Sequence, residues 1–369
     1  MNIFAQLTFF KIMRVLGDIV VVLIGGLLLS CNQSSELQAK IKEVDYLDKT
    51  GEVLEGEIVT KILGSHSMVA YDSLVMVITK NSDALISIYS TDSKTIIGSI
   101  GTKGRAGNEF VDAYTGAEQV IMRNGHMILP LYNGPYEVKE VDITESLIEN
   151  KTVICSTFDD CVPLVNGEFV YLGTDITNRF EYIRNIYGKE ITGVPCKYTV
   201  FESNGKKRDI QFFKKLMPYA TDNRVREAPY ATSLYKHPLK NLVLVAFEYN
   251  DYLLFADLDN NHYYASHQLG SKTFEDVFDV KQGGICFGDA AVSNDYIMIL
   301  YWRGKYTTNE PEESQRPELL IFDWDGNYVS GYKMDRIILR IEFDQIHNHL
   351  YGLSDEEELC LYDMNALLN

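Results

Sequence analysis

Two histidines, His347 and His349, have the spacing best suited to holding a metal ion. In a strand, residues two apart put both imidazoles on one face. His347-Asn348-His349 falls where a hairpin turn is expected, so a pair of surface histidines is the plainer reading. His262 and His267 flank Tyr263-Tyr264 and also read as surface residues. The six cysteines are Cys31, Cys155, Cys161, Cys196, Cys286 and Cys360. Of the last five, only Cys155 and Cys161 are close enough in sequence to suggest a disulfide. Cys286 and Cys360 read as buried strand thiols. No Cys-x-x-Cys pair offers a structural zinc site. There is no His-Glu-x-x-His and no Gly-x-Ser-x-Gly, and no motif pairs a nucleophile with its base. Tyr301-Trp302-Arg303 is a candidate binding feature on a loop rim, because aromatics with Arg are enriched in binding hot spots. The alternative is a strand end packed by its own aromatics.

Cys31 has a different chemistry. Lys11 and Arg14 precede the apolar run Ile19–Leu29. That run suits a signal-peptide core and is too short to span a bilayer, which takes about 20 residues. It ends Leu28-Leu29-Ser30-Cys31, which resembles the bacterial lipoprotein signal. The resemblance implies cleavage before Cys31 and lipid on its thiol. The small Ser30 gives a peptidase access to the bond. Several acyl chains on one residue anchor stably, since each buried methylene contributes about 0.8 kcal/mol. Residues 1–30 are then the signal peptide, 31–40 a polar tether beginning Asn32-Gln33-Ser34-Ser35, and 41–369 a single folded unit.

That unit is built on a repeat. In Leu319–Val329 an apolar run ends at Asp323, a turn of the Asp-Gly-Asn kind follows, and a new strand begins at Tyr328. Asp, Asn and Gly suit tight reversals because they bond locally or tolerate positive φ. Weaker copies centre on Ser90, Asp142, Glu202, Asp257 and Asp363. Their spacing approaches the ~40–50 residues of a propeller blade. The copies predict an all-β fold: a six-bladed β-propeller with four-stranded antiparallel blades. The chain ends soon after Asp363, which leaves the last blade short of its outer strand. A stretch within Glu52–Leu63 is expected to supply that strand and so close the ring. Blade three is expected to use Val162–Val165, Phe169–Thr174 and Tyr198–Glu202, with Phe180–Lys197 as an excursion. A short helix is expected near Phe212–Met217, and Arg303–Pro317 reads as a surface loop.

Between the first two copies lies Gly101-Thr102-Lys103-Gly104-Arg105-Ala106-Gly107-Asn108-Glu109-Phe110. It lacks the Gly-Lys-Ser/Thr ending of a phosphate loop, and no helical pattern follows it. It resembles the inter-blade connector of NHL-like propellers. More closely, it resembles the Lys-Gly-Arg-Gly-Pro-Gly-Glu-Phe connector of the TolB-like six-bladed propeller lipoproteins, the BF3164-like family of Bacteroidetes. Gly101, Lys103, Gly104, Arg105, Glu109 and Phe110 carry the resemblance, while Ala106, Gly107 and Asn108 depart from it. The glycines would turn the chain between blades and Phe110 would plug the gap between two sheets. The resemblance implies export and a lipid anchor, and it implies no particular chemistry.

Composition bounds the partners. The net charge is −18, from 34 basic and 52 acidic residues. That balance argues against nucleic acid. The expected partners are the membrane, through lipid on Cys31, and an envelope protein or glycan. The leading expectation is a non-catalytic binding or scaffold module at the outer membrane, with no cofactor. Its rival is a propeller hydrolase or lyase with a metal, Ca²⁺ for instance, in the central channel. Such a site would be assembled from single residues on different blades and would leave no motif.

Overall fold

The computed structural model describes residues 36–37, 39–48, 50–80, 83–115, 120–134, 137–158, 169–171, 182–186, 197–201, 207–210, 212–215, 232–271, 284–306 and 316–368. Six sheets of four or five strands follow one another along the chain. Blade one is Ser65–Tyr71, Leu74–Thr79, Ile86–Ser90 and Thr95–Ile100. In blade two, Ala113–Tyr114 and Ile121–Arg123 both pair with His126–Asn133, and Val138–Asp142 and Ile154–Phe158 follow. Blade three is Phe169–Tyr171, Tyr182–Ile186, Lys197–Phe201 and Lys207–Ile210. The expected excursion at Phe180–Lys197 therefore contains a strand of the blade, while Val162–Val165 lies outside the described residues. Blade four is Thr232–Lys236, Leu242–Phe247, Tyr252–Asp257 and His262–Gln268. Blade five is Ile285–Val292, Tyr296–Tyr306, Glu318–Asp323 and Tyr328–Met334. Blade six supplies only Ile338–Asp344, His349–Ser354 and Glu358–Asp363.

Middle strands are apolar without a break because both of their faces are covered. Val75–Ile78, Ile297–Leu300 and Leu319–Phe322 are buried throughout. Apolar clusters fill the spaces between sheets one and two, four and five, five and six, and six and one. Another joins Ile210 and Phe212 to blade four.

The repeated acidic anchor has a physical role. Asp323 Oδ1 accepts from Asn327 N at 2.7 Å, Asp257 Oδ1 from Asn260 N at 3.0 Å and Asp363 Oδ1 from Asn365 N at 2.9 Å. Each carboxylate closes the turn that its strand runs into. Gly326 sits at φ +73° against the Tyr264 ring, where a side chain would have no room. Asp142 uses the same bond differently. It accepts from Glu145 N at 2.8 Å and caps a helix, Ile143–Glu149, where a tight turn was expected.

From Glu36 onward the N-terminal segment pairs with the blades. Glu36–Leu37 pairs with Phe213–Lys215, so the expected helix near Phe212–Met217 begins as a strand. Lys40–Val44 adds to blade four in parallel with His262–Gln268. Thr50–Leu54 adds to blade five in parallel with Tyr328–Met334. Glu57–Lys61 pairs antiparallel with Glu358–Asp363 and takes the fourth place in blade six. A single strap thus crosses the outer edges of successive sheets.

Two nodes fasten it. Tyr46 is fully buried between blades four and five, edge-on to Phe322 at 5.5 Å and to Tyr301 at 5.7 Å. Its hydroxyl bonds to Ser266 Oγ at 2.9 Å, and its N–H donates to Gln268 Oε1 at 2.7 Å. At blade six, Asp335 accepts from Gly56 N at 3.2 Å and from the Tyr362 hydroxyl at 2.9 Å, while Arg336 donates to Gly56 O at 3.0 Å. Gly56 lies so close to the Tyr362 ring that no side chain would fit. Tyr46→Ala is expected to cost about 3–5 kcal/mol of stability, and Tyr46→Phe only about 1 kcal/mol. Urea unfolding of the two variants checks both values.

Candidate functional site

The first strand of each later blade lies against the first strand of the next: Thr232–Lys236 against Ile285–Val292, Ile285–Val292 against Ile338–Asp344, and Ile338–Asp344 against Ser65–Tyr71. These inner strands lie nearest the propeller axis, and polar side chains collect where one meets the next. The Tyr235 hydroxyl donates to Asp289 Oδ1 at 3.3 Å, and Ile341 N donates to Asp289 Oδ2 at 3.0 Å. Arg340 and Glu342 flank Ile341, so period two places them together on one face of the strand. Ser233 shares a face with Tyr235 in the same way, and its hydroxyl bonds to Glu248 Oε1 at 3.4 Å. The hydroxyls of Ser65 and Ser67 are enclosed and lack a hydrogen-bond partner. A polar lining therefore runs from blade four through five and six to blade one.

Its electrostatics follow from enclosure. Asp289 and Glu342 are half-buried. Desolvation raises the Asp289 carboxyl above the ordinary carboxylate range, with Arg340 opposing the shift. Desolvation, reinforced by the nearby Asp289 charge, raises Glu342 well above that range. Tyr235 is raised for the same two reasons. Burial also lowers Glu248's tendency to ionise and lowers the pKa of Lys236 and His66. Each of these carboxyls holds its proton to a higher pH than an exposed one would. Among the described residues, no group of three or more His, Cys, Asp or Glu is arranged to hold a metal ion.

The connector has a structural part to play. Gly104 N donates to Phe110 O at 2.8 Å and Ala106 N to Glu109 Oε2 at 2.8 Å, so the loop closes on itself. Phe110 is fully buried in the cluster between blades one and two, as expected from the sequence. Gly101 adopts φ +76° and donates its N–H to Thr152 Oγ1 at 2.8 Å. Lys103 and Arg105 are exposed. Lys139, which no motif marks, is buried and donates to Gly107 O at 3.1 Å and Glu109 O at 2.5 Å. Its ammonium also lies 5.3 Å from the Phe110 ring centroid.

The proposed rim of Tyr301, Trp302 and Arg303 needs correction. Tyr301 is 2% and Trp302 5% exposed. Tyr301 packs on Tyr46 and Phe287, and Trp302 lies over Gly288, which leaves it room. Arg303 is half-buried and its guanidinium is committed to Glu318, with Nε 2.6 Å from Oε2. The strand also runs on to Tyr306, past the point where the loop was expected to start.

His347 lies in the expected turn. Its Nδ1 is 2.6 Å from Asp344 Oδ2, a hydrogen bond that raises its pKa, and its Nε2 is 3.9 Å from Asp72 of blade one. Cys286 and Cys360 are buried, as expected, and Cys155 is an exposed free thiol. Cys31, Cys161 and Cys196 lie outside the described residues.

His267 is a second correction. It is 3% exposed, not on the surface. Ser271 Oγ is 3.0 Å from its Nε2 and Glu43 Oε1 is 2.9 Å from its Nδ1, the contact order of a serine hydrolase triad. The exposure pattern is the reverse of such a triad. The imidazole is covered and stacked on Tyr252 at 4.0 Å, while the carboxylate is 49% exposed. The set clamps the strap to blade four.

Comparison with known proteins agrees with this architecture. A family model described as TolB-like 6-blade propeller-like matches residues 64–345. The chain belongs to this TolB-like propeller family. A protein of Bacteroides fragilis described as a putative exported protein is 8% identical with TM-score 0.45, covering 88% of this chain and 98% of its own. A DUF4221-family member from Bacteroides vulgatus is 12% identical with TM-score 0.49, covering 90% and 98%. Raptor of Chaetomium thermophilum is 12% identical with TM-score 0.48, covering 86% of this chain and 29% of its own. No curated protein matches the chain.

In this TolB-like propeller the raised Glu342 fixes a sign for pH dependence. A carboxyl raised in the folded state adds stability below its unfolded pKa, and that stability is lost as pH rises through the folded value. Glu342→Gln is therefore expected to raise the melting temperature at about pH 7.5 and to give no gain near pH ~4. Thermal melts of parent and variant across this range check it.

Proposed function

We propose that this TolB-like propeller is an exported, non-catalytic binding module, tethered to the outer membrane through lipid on Cys31. Within the family we group it with the lipoprotein propellers, on the strength of Lys103-Gly104-Arg105, Glu109-Phe110 and the signal ending at Ser30-Cys31. We also propose that Glu57–Lys61, in the fourth place of blade six, closes the ring.

The observation that carries the binding role is the continuous polar lining of the axis. Asp289, Glu342, Tyr235 and Arg340 come from three blades and present donors and acceptors in a partly desolvated setting. Such a setting strengthens each hydrogen bond to a ligand. An envelope glycan or a polar protein loop would satisfy these groups.

Two measurements test the proposal. Cys31→Ser is expected to move the protein from the membrane fraction to the soluble fraction of the envelope. If it stays in the membrane, the anchor reading fails. For the axis, envelope glycans and proteins retained by the parent are expected to be lost with the Asp289→Asn, Glu342→Gln double variant. Metal content and melts with EDTA run alongside. A stoichiometric ion, with a melt that falls on chelation, would overturn the cofactor-free module in favour of a channel metalloenzyme.

A further inference from the structure

The strap begins beside the most basic stretch of an acidic protein. Lys206, Lys207, Arg208, Lys214 and Lys215 stand within ten positions, against a single Asp209. The chain as a whole carries −18. The fold places this stretch on two strands, Lys207–Ile210 at the outer edge of blade three and Phe213–Lys215 in a two-stranded sheet of its own. Ile210 and Phe212, between the basic positions, are buried in the cluster shared with blade four, which fixes the stretch to the propeller body.

The partner of Phe213–Lys215 is Glu36–Leu37, with Glu36 opposite Lys215 and Leu37 opposite Phe213. Glu36 is five positions from Cys31. Five extended residues reach at most about 17 Å. A lipid on Cys31 would therefore hold this corner of the propeller near the headgroups and leave the rest of the acidic body further away. Attraction between a basic segment and an anionic surface acts over about 8 Å at physiological salt. Each Lys or Arg held there multiplies the affinity roughly fivefold.

We propose that the basic edge formed by Lys207, Arg208, Lys214 and Lys215 docks on an anionic bilayer surface and sets the orientation of the propeller on its anchor. The inference rests on the lipid anchor at Cys31. Docking at this corner leaves the axis and the remaining blades accessible from outside the bilayer. The acidic surface elsewhere is repelled by the same headgroups, so one orientation is favoured over the others.

The test is lysine footprinting of the full lipidated protein, reconstituted in vesicles with anionic phosphatidylglycerol, in purely phosphatidylcholine vesicles, and in detergent. An amine-reactive reagent is applied and labelled peptides are read by mass spectrometry. The expected result is severalfold protection of Lys207, Lys214 and Lys215 in anionic vesicles only, abolished at high salt. Lys94 and Lys151, whose side chains are 65% and 64% exposed, should label equally in all three. The same spectra report the mass of the Cys31 peptide. If that peptide carries no lipid, the anchor reading falls and the docking inference falls with it. If it carries lipid and the three lysines label alike everywhere, the anchor stands and the docking inference is overturned. A Lys207→Gln, Arg208→Gln, Lys214→Gln, Lys215→Gln variant gives a second measure. It should stay anchored while a fluorophore on the exposed Cys155 thiol changes its distance distribution from the bilayer, and an unchanged distribution would also overturn the docking inference.

Discussion

The constraint on which this structure depends is the unpaired backbone at the outer edge of each blade. A strand with one bare edge offers a row of N–H and C=O groups to any other chain. The strap from Glu36 to Lys61 answers this for the later blades by adding a strand to blades four and five and completing blade six. Two of its additions are parallel and one is antiparallel, so the segment joins the sheets by different geometries at different blades. Tyr46 and Gly56 show that the strap is held by side-chain burial and close packing as well as by the ladder.

Polarity is sorted by radius. Apolar clusters occupy the spaces between sheets, where neighbouring blades exclude water from both faces. The axis is lined by Asp289, Glu342, Tyr235 and Arg340, and enclosure displaces the first three from their usual ionisation. Burying an acid with incomplete pairing costs stability. A fold with no use for the axis could fill it with small apolar residues at lower cost. The polar lining is for that reason the part of the molecule most in need of a functional account.

Much of the fold was legible because its signals are local. The anchors Asp257, Asp323 and Asp363 could be read as turns, and the middle strands as unbroken apolar runs, since each depends on residues within a few positions. Asp142 was harder: the same carboxylate that closes a turn also caps a helix, and the choice falls to Ile143 and Ser146, whose burial is tertiary. The strap was only partly visible, because parallel pairing between residues more than two hundred positions apart leaves no local pattern. Tyr301 and Trp302 looked like an exposed pair for a related reason, since the partner that covers Tyr301 is Tyr46. His267 was hidden by its clamp to Glu43. The axial residues carried no motif at all. Each is an ordinary strand residue until the blades bring their first strands together.

The strap also governs the timing of assembly. Tyr46 bonds to a residue 220 positions later, and Gly64 N donates to Glu357 across 293 positions. Residues 36–61 precede all of their partner strands, which lie at 213–215, 262–268, 328–334 and 358–363. Until those strands are in place the segment is an unpaired, strand-forming stretch. High contact order of this kind slows folding and lengthens exposure to wrong partners. The charges of Lys40, Lys42, Glu43, Glu52, Glu55 and Glu57, scattered along that segment, oppose its pairing with a wrong edge in the meantime.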